Sequence, residues 1–253
     1  MRDIYIVIAS VVGLMIGSFL NVVIYRLPRG ESVVSPPSAC PKCGHRLSPW
    51  ENIPVLSYLI LKGKCRNCKE KISPRYLLVE VLTAVGFGVM FYHFSDVITA
   101  LSFSIFVAFL VSLSFIDLDT RKLPRHIIYV AMVPSVALLG VPALLRHDWG
   151  TLSGMGIGAA IGLGTLGLIH LLAPRSMGMG DVRFAGYLGF NLGYLTLYAV
   201  VDLLYGSFLL GAIFGVVFAI LKSKSLKVSL PFGPFLSIAA FAAAIIGNSL
   251  HIL

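Results

Sequence analysis

The feature that most constrains this chain is a series of apolar segments, each about as long as a bilayer is thick. A helix needs roughly 20 apolar residues to cross the hydrocarbon core. Hydrophobic residues make up 57% of the chain and charged residues 12%. We therefore predict an all-α polytopic membrane protein with about eight transmembrane helices. The predicted spans are residues 4–25, 76–94, 97–116, 126–145, 152–173, 182–200, 203–221 and 231–252.

Two of these segments need separate comment. The sixth is diluted by Asp181, Arg183 and Asn191, so its apolar signal is the weakest. The first has the length of a cleaved signal peptide. However, its start at Met1 carries little positive charge, and no Ala-x-Ala cleavage site follows before Tyr25. We predict that the first segment is a retained helix.

Lysine and arginine positions predict the orientation, because cytoplasmic loops of membrane proteins carry an excess of both. With eight spans, four loops share one side, and together with Arg183 they hold 18 of the 20 basic residues. These loops are residues 26–75, 117–125, 174–181 and 222–230. Only Arg2 and Arg146 fall on the other side, so we predict that the four loops are cytoplasmic and both termini are outside. Topology and anionic membrane lipids then explain the net charge of +9, and we expect no nucleic-acid partner.

The sizeable polar segment at residues 26–75 contains all four cysteines of the chain. They form two Cys-x-x-Cys pairs separated by 21 residues: Cys40 with Cys43, and Cys65 with Cys68. Four thiolates in this pattern indicate a structural zinc site, one residue beyond the usual spacer. Disulfides are disfavoured in a cytoplasmic loop, and a thioredoxin-like redox pair would need a βαβ unit for which there is no room. Because so small a segment has little apolar core, we expect zinc to supply its fold.

Two aspartates, Asp117 and Asp181, stand at the cytoplasmic ends of predicted spans. A carboxylate beside the bilayer is costly, so it is a functional candidate. Two adjacent carboxylates can share a proton and hold a water, one acting as base while the other polarises a scissile carbonyl. Gly178 and Gly180 would let the backbone before Asp181 approach a partner closely. The residues alone leave an aspartic protease pair and the proton relay of a transporter equally open.

Other ionisable residues have alternative interpretations. Asp119 lies near enough in sequence to replace Asp117 as the acid, or to form an ordinary loop pair. Glu80 can neutralise a nearby arginine or contact a cationic substrate, whereas we expect His170 to be packed and hydrogen-bonded. Asp202 is predicted to face solvent or lipid headgroups on the external side. A non-catalytic assembly platform, whose zinc loop binds partners, is a third possible function, but it gives the two aspartates no role.

Several stretches, in order along the chain, resemble one family. Gly178-Met-Gly-Asp181 matches the GxGD motif of intramembrane aspartic proteases. The stretch FIDLDTRKLP at residues 115–124 is similar to the first aspartate motif of type IV prepilin peptidases. Blocks of the N-terminal third are similar to the same family: residues 17–28, 37–43, 52–57, 63–68 and 73–80. The resemblance covers essentially the whole chain.

This resemblance implies a bifunctional enzyme of the bacterial inner membrane. Such an enzyme cuts the basic leader from prepilins or pseudopilins of type IV pili or type II secretion, after a glycine at the cytoplasmic face. It then methylates the new N-terminus with S-adenosylmethionine. By the same resemblance Asp117 and Asp181 are the catalytic pair, Asp119 has a supporting role, and Glu80 is a candidate for the methyl-donor site. The chain has no glycine-rich Rossmann fingerprint, so the sequence does not show how the donor binds.

The resemblance and the apolar pattern together predict three parts of the chain. Residues 1–25 form the first transmembrane helix, residues 26–75 a cytoplasmic zinc-binding domain, and residues 76–253 a transmembrane aspartic peptidase domain. A transporter would instead be expected to show inverted repeats with broken helices in both halves, and no such repeat is visible in the sequence.

Overall fold

The computed structural model describes residues 2–174, 177–222 and 231–249. Across these residues the chain is helical, as predicted, and its only β pairing consists of two isolated bridges. The helices are α1 (Arg2–Arg26), α2 (Leu56–Ile60), α3 (Pro74–His93), α4 (Val97–Thr120), α5 (Arg125–Ser135), α6 (Val141–Leu145), α7 (Trp149–Leu172), α8 (Met179–Leu195), α9 (Leu197–Lys222) and α10 (Gly233–Ser249). A π-helical turn, Val136–Gly140, joins α5 to α6.

Six helices of the described residues are long and apolar enough to cross a membrane, which fits a multi-pass membrane protein. They correspond to six of the eight predicted spans. The other two predicted spans correspond to α8 and α10, which have 17 residues each. The predicted count of eight therefore stays a prediction. The last predicted span also runs past residue 249, outside the described residues, and so do the basic residues Arg175, Lys224 and Lys227.

The chain divides into two compact units, Met1–Ser112 and Leu113–Leu253. In the first unit α1 packs along α3. Two glycines allow this close approach, since a Cβ at Gly13 would lie 2.8 Å from the Cα of Ala84, and one at Gly17 would lie 2.7 Å from the Cα of Glu80. Small residues that let helix backbones meet are the usual means of association in membranes. The polar segment with the cysteines lies between these two helices in sequence.

In the second unit α8 is the central helix, in contact with α5, α7, α9 and α10. Eleven of its 17 residues are buried. Asn191 is among them, and its side-chain amide donates to the carbonyl of Tyr187 at 2.9 Å. This position explains the weak apolar signal of the sixth predicted span. A helix surrounded by protein does not need the uniform apolar surface that lipid demands.

The boundary between the sixth and seventh predicted spans is wrong. The predicted spans 182–200 and 203–221 leave the connection at residues 201–202, but α8 ends at Leu195 and α9 begins at Leu197. Thr196 separates the two helices, because its backbone is extended (φ −166°, ψ 153°) and its hydroxyl accepts from the N–H of Tyr198. Asp202, predicted to face solvent or lipid headgroups, therefore lies within α9, where its side chain is exposed.

Candidate functional site

The two Cys-x-x-Cys pairs form the same backbone turn twice. In each, the N–H of the first cysteine donates to the carbonyl five residues later, at 2.9 Å from Cys40 and 2.8 Å from Cys65. The N–H four residues later donates back to that cysteine's carbonyl, at 2.9 and 3.0 Å. The residue after the second cysteine has a positive φ in both turns, 69° at Gly44 and 60° at Lys69. An isolated antiparallel bridge closes each turn.

This repeated turn brings the four sulfur atoms together. The Sγ atoms of Cys40 and Cys68 are 3.8 Å apart, those of Cys43 and Cys65 are 4.0 Å apart, and all four lie within 4.8 Å of one another. These separations are too long for disulfide bonds, which are about 2.05 Å. Four sulfurs bound tetrahedrally to zinc at about 2.3 Å would be about 3.8 Å apart. The cluster therefore has the donor set and the size that a zinc ion requires.

Backbone amides favour the thiolate form that a metal needs. The N–H of His45 lowers the pKa of Cys43 to about 6, and the N–H groups of Cys68 and Asn67 lower the pKa of Cys65. Thiolates, and not thiols, are the metal ligands. Although the N–H of Glu70 opposes the change, burial and the neighbouring thiols raise the pKa of Cys68 to about 12, so a bound cation would be needed to ionise all four thiols together.

Asp117, in the last turn of α4, is almost completely buried, with 4% of its surface exposed. Its Oδ2 accepts a hydrogen bond of 2.8 Å from the backbone N–H of Gly233, the first residue of α10. The contact is tight, since a Cβ at Gly233 would lie 2.9 Å from Oδ2 and 3.1 Å from the Cβ of Asp117. The N-terminus of a helix carries partial positive charge, so it stabilises a carboxylate there.

Asp181, in the first turn of α8, is half-buried. Its Oδ2 accepts from the N–H of Gly178 at 3.1 Å, so the side chain caps its own helix. The close approach expected at Gly180 is present: a Cβ there would lie 2.9 Å from the Cβ of Leu123 and 3.0 Å from its carbonyl oxygen. The backbone before Asp181 thus packs on the segment that follows α4.

The structure brings Asp117 and Asp181 close enough for the charge of Asp117 to act on the Asp181 carboxylate. Each carboxylate accepts a hydrogen bond from a backbone N–H at the start of a helix, Asp117 from Gly233 and Asp181 from Gly178. Two carboxylates held close together in this way titrate as a pair. The predicted catalytic role of the pair is an interpretation of this arrangement.

Glu80 lies in α3, with 8% of its surface exposed. Its Oε2 accepts a 2.8 Å hydrogen bond from the N–H of Val55. Val55 is strained: its φ is 61° and ψ −52°, and the N–H of Leu56 bonds to the carbonyl of Pro54 across it at 2.6 Å. Such a γ-turn is rare and costs about 1–3 kcal/mol for a β-branched residue.

His170 is hydrogen-bonded, as expected. Its Nδ1 lies 2.8 Å from the carbonyl oxygen of Met177, at the end of the connection between α7 and α8. This contact supports a structural role near the start of the helix that carries Asp181.

Comparison with known proteins shows to which family the chain belongs. The model of the bacterial peptidase A24 N-terminal domain matches residues 11–94, and that of the type IV leader peptidase family matches residues 104–220. Related proteins align with nearly the whole chain. The prepilin leader peptidase/N-methyltransferase of Pseudomonas putida is 34% identical over 98% of this chain and 92% of its own length. The chain belongs to the type IV leader peptidase family.

Two other relatives of the chain are also named prepilin leader peptidase/N-methyltransferase. The Neisseria gonorrhoeae protein is 35% identical over 92% of this chain and 88% of its own length. The Pseudomonas aeruginosa protein is 33% identical over 97% and 92%. No solved structure gives a significant match to the chain.

Sequence reasoning missed two residues of the leader peptidase architecture. Gly233 contacts Asp117 across 116 positions of sequence, and Val55 contacts Glu80 across 25. The Pro-Phe-Gly-Pro stretch at residues 231–234, just before an apolar run, marks a helix start and is the signal that could have drawn attention to Gly233. The sequence around Val55 gives no comparable signal, because a β-branched residue does not predict a positive φ.

Proposed function

We propose that this protein is a prepilin leader peptidase with N-methyltransferase activity. The observation that carries the proposal is the 34% identity to the Pseudomonas putida enzyme over 98% of the chain. Both family models of such enzymes also match here, over residues 11–94 and 104–220. The transporter alternative has no support among the families and relatives that match.

We assign peptide cleavage to Asp117 and Asp181. One carboxylate takes a proton from a water molecule, whose oxygen attacks the carbonyl carbon of the scissile bond. The other, protonated, donates a hydrogen bond to the carbonyl oxygen, and a proton then passes to the leaving amine as the C–N bond breaks. The buried position of Asp117 and its hydrogen bond from Gly233 support this assignment, since they fix one acid in a site of low water content.

The proposed substrates are prepilins or pseudopilins, whose basic leader precedes an apolar helix. We propose that both aspartates and the cysteine cluster lie at the cytoplasmic side of the bacterial inner membrane, with both termini outside. The excess of Lys and Arg in residues 26–75 supports this orientation. A pair of acids at the cytoplasmic membrane surface would meet the chain where its leader joins the apolar segment. We retain the division into residues 1–25, 26–75 and 76–253 as part of the proposal.

Two further components belong to the proposal. Zinc held by Cys40, Cys43, Cys65 and Cys68 would fix the fold of the polar segment, a role that the sulfur separations support. S-adenosylmethionine would supply the methyl group for the second reaction.

The decisive experiment measures both reactions on purified prepilin in liposomes by mass spectrometry. Leader loss and the methyl increment are read from the same spectra, for wild type, Asp117→Asn and Asp181→Asn. We expect either substitution to abolish cleavage, while a pilin that has already been cleaved is still methylated. Asparagine keeps an oxygen that accepts from Gly233 or Gly178, so the substitutions change charge more than structure.

Asp148→Asn is the matched control. Asp148 caps the exposed start of α7, and asparagine is an equally good N-cap, so we expect full activity. Cleavage that survives substitution of Asp117 or Asp181 would show that the aspartic mechanism is wrong. A wild-type protein that neither cleaves nor methylates would overturn the proposed function itself.

A further inference from the structure

The short helix α2 exposes its apolar residues and not its polar ones. Ser57 and Tyr58 are half-buried, whereas Leu56, Leu59 and Ile60 have 56%, 59% and 75% of their surface exposed. The three exposed residues have the spacing that places them on one side of a helix. A helix at a water-exposed surface normally turns its polar residues outward, so the arrangement in α2 suits an apolar environment.

Hydrogen bonds hold α2 beside the start of α3. The N–H of Val55, which precedes α2, donates to Oε2 of Glu80 at 2.8 Å, and the hydroxyl of Tyr58 donates to the carbonyl of Ile72 at 3.4 Å. Ile72 lies two residues before α3 begins, and Glu80 is the seventh residue of that helix. The helix α2 is therefore held alongside the first two turns of α3.

The position of Glu80 along α3 indicates how deep in the membrane α2 lies. The 20 residues of α3 extend about 30 Å at about 1.5 Å per residue, which equals the thickness of a hydrocarbon core. Glu80 lies six residues, or about 9 Å, from the start of this span. The packing of α1 agrees, since Gly17 contacts the Cα of Glu80 and α1 continues for nine more residues, to Arg26. A segment bonded to Glu80 therefore lies at the level of the acyl chains.

Basic residues follow α2 directly. Lys62, Lys64 and Arg66 are exposed, and no acidic residue lies between α2 and Glu70. Lysine and arginine beside an apolar segment are attracted by anionic lipids, and their long side chains reach the headgroups from an apolar position. The order of apolar and basic residues thus matches the order of layers at a membrane surface.

We propose that α2 lies within the membrane surface beside α3, with Leu56, Leu59 and Ile60 among the acyl chains and the basic residues that follow at the headgroups. The partner of this apolar face is lipid, so neither a pilin nor a second copy of the protein is needed to cover it. The polar segment is then attached to the bilayer by its own residues as well as by α1 and α3. The inference depends on the spans of α1 and α3, and not on either enzymatic activity.

The test uses wild-type protein in vesicles of phosphatidylethanolamine and phosphatidylglycerol, without pilin. A trace of phospholipid with a diazirine in its acyl chain is activated by light, and the lipid adducts are located by mass spectrometry after digestion. We expect adducts at Leu59 and Ile60, as on exposed residues of α1 such as Ile8, and none at Tyr58 on the opposite side of α2. Adducts on α1 without any on α2 would overturn the proposal, because water or protein would then cover this face.

A second measurement gives the depth. Trp50→Phe with Trp149→Phe removes both tryptophans of the chain, and Leu59→Trp then adds one on the exposed face of α2. Bromine on lipid acyl chains quenches a tryptophan that it contacts, so we expect brominated lipid to cause a large loss of this fluorescence. Val34→Trp in the same background is the matched control, since Val34 is 87% exposed and lies eight residues beyond the end of α1. Equal quenching of the two variants, or none at position 59, contradicts the proposed depth.

Discussion

At the residue scale, each of the two aspartates is held by a hydrogen bond from a backbone N–H at the start of a helix. Asp181 accepts an N–H just before its own helix, whereas Asp117 accepts one from the start of α10, 116 residues away. Each hydrogen bond holds a carboxylate oxygen against a backbone N–H. The chain thus places each acid at the positive end of a helix.

Gly233→Ala tests this positioning. The added methyl carbon would lie 2.9 Å from Oδ2 of Asp117, so either the carboxylate or the start of α10 must move. We expect cleavage of prepilin, measured as kcat/KM, to fall by about tenfold or more, because small displacements of catalytic groups have large effects on rate. Methylation of pre-cleaved pilin should be unchanged.

Gly164→Ala is the control for this substitution. Gly164 has open space around its Cβ position, so an added methyl meets nothing within 4 Å. If Gly233→Ala cleaves as fast as Gly164→Ala, the contact with Asp117 does not position the acid.

The two cysteine turns provide a second prediction at this scale. Gly44 and Lys69 occupy equivalent positions with φ of 69° and 60°. A positive φ costs a residue other than glycine about 1–2 kcal/mol. We therefore expect Gly44→Ala to lose metal faster, and Lys69→Gly to lose it more slowly, when purified protein is challenged with a chelator. Metal content by mass spectrometry gives the rates, and equal rates in the two variants would contradict the shared turn geometry.

Single residues also show how far the sequence can predict the site. Four cysteines at fixed spacing, and an aspartate after Gly-x-Gly, are local patterns whose chemistry follows from residue type. The contacts of Gly233 and Val55 depend on distant parts of the chain, and one of them on a strained backbone. The Pro-Phe-Gly-Pro stretch marks Gly233 as a helix start, but no local pattern predicts which residue either one contacts, so only the structure reveals the contacts.

At the scale of helices, the pairing of α7 and α8 positions Asp181. Glycines face each other along this contact: a Cβ at Gly158 would lie 2.3 Å from the carbonyl oxygen of Gly189, and one at Gly189 would lie 2.1 Å from that of Gly158. Side chains have no room there. Backbone contact of this kind provides van der Waals packing in a lipid environment, where the hydrophobic effect does not drive helices together.

Gly158→Ala should therefore separate the two helices. Overpacking of a tight contact costs about 1–3 kcal/mol, so we expect a lower apparent melting temperature in detergent and slower cleavage. Gly164→Ala on the same helix adds a methyl group in open space and should not lower the apparent melting temperature. Equal melting temperatures for the two variants would show that the α7–α8 contact is looser than the structure indicates.

At the scale of the whole molecule, six of the eight predicted spans correspond to helices long and apolar enough to cross a membrane, and burial explains why polar residues dilute the sixth span. Most residues of α8 contact other helices and not lipid. The helix can therefore contain Asp181, Arg183 and Asn191, which a uniformly apolar, lipid-facing helix would not. Hydropathy reflects the apolar surface that a lipid-facing helix needs. The hydropathy of a helix surrounded by other helices can therefore be lower. The orientation inferred from basic residues depends on whether α8 crosses the membrane.

Reporter insertions decide this question. At about 1.5 Å per residue, the 17 residues of α8 extend about 25 Å, slightly less than a hydrocarbon core of about 30 Å. Alkaline phosphatase is active only in the oxidising periplasm, so it reports external loops. It is inserted after Arg121, His147 or Thr196, with the rest of the chain retained so that α8 keeps its neighbours. Eight spans predict activity after His147 and Thr196 and none after Arg121. Activity after His147 but not after Thr196 would mean that α8 does not cross, and would reverse the predicted side of every later loop.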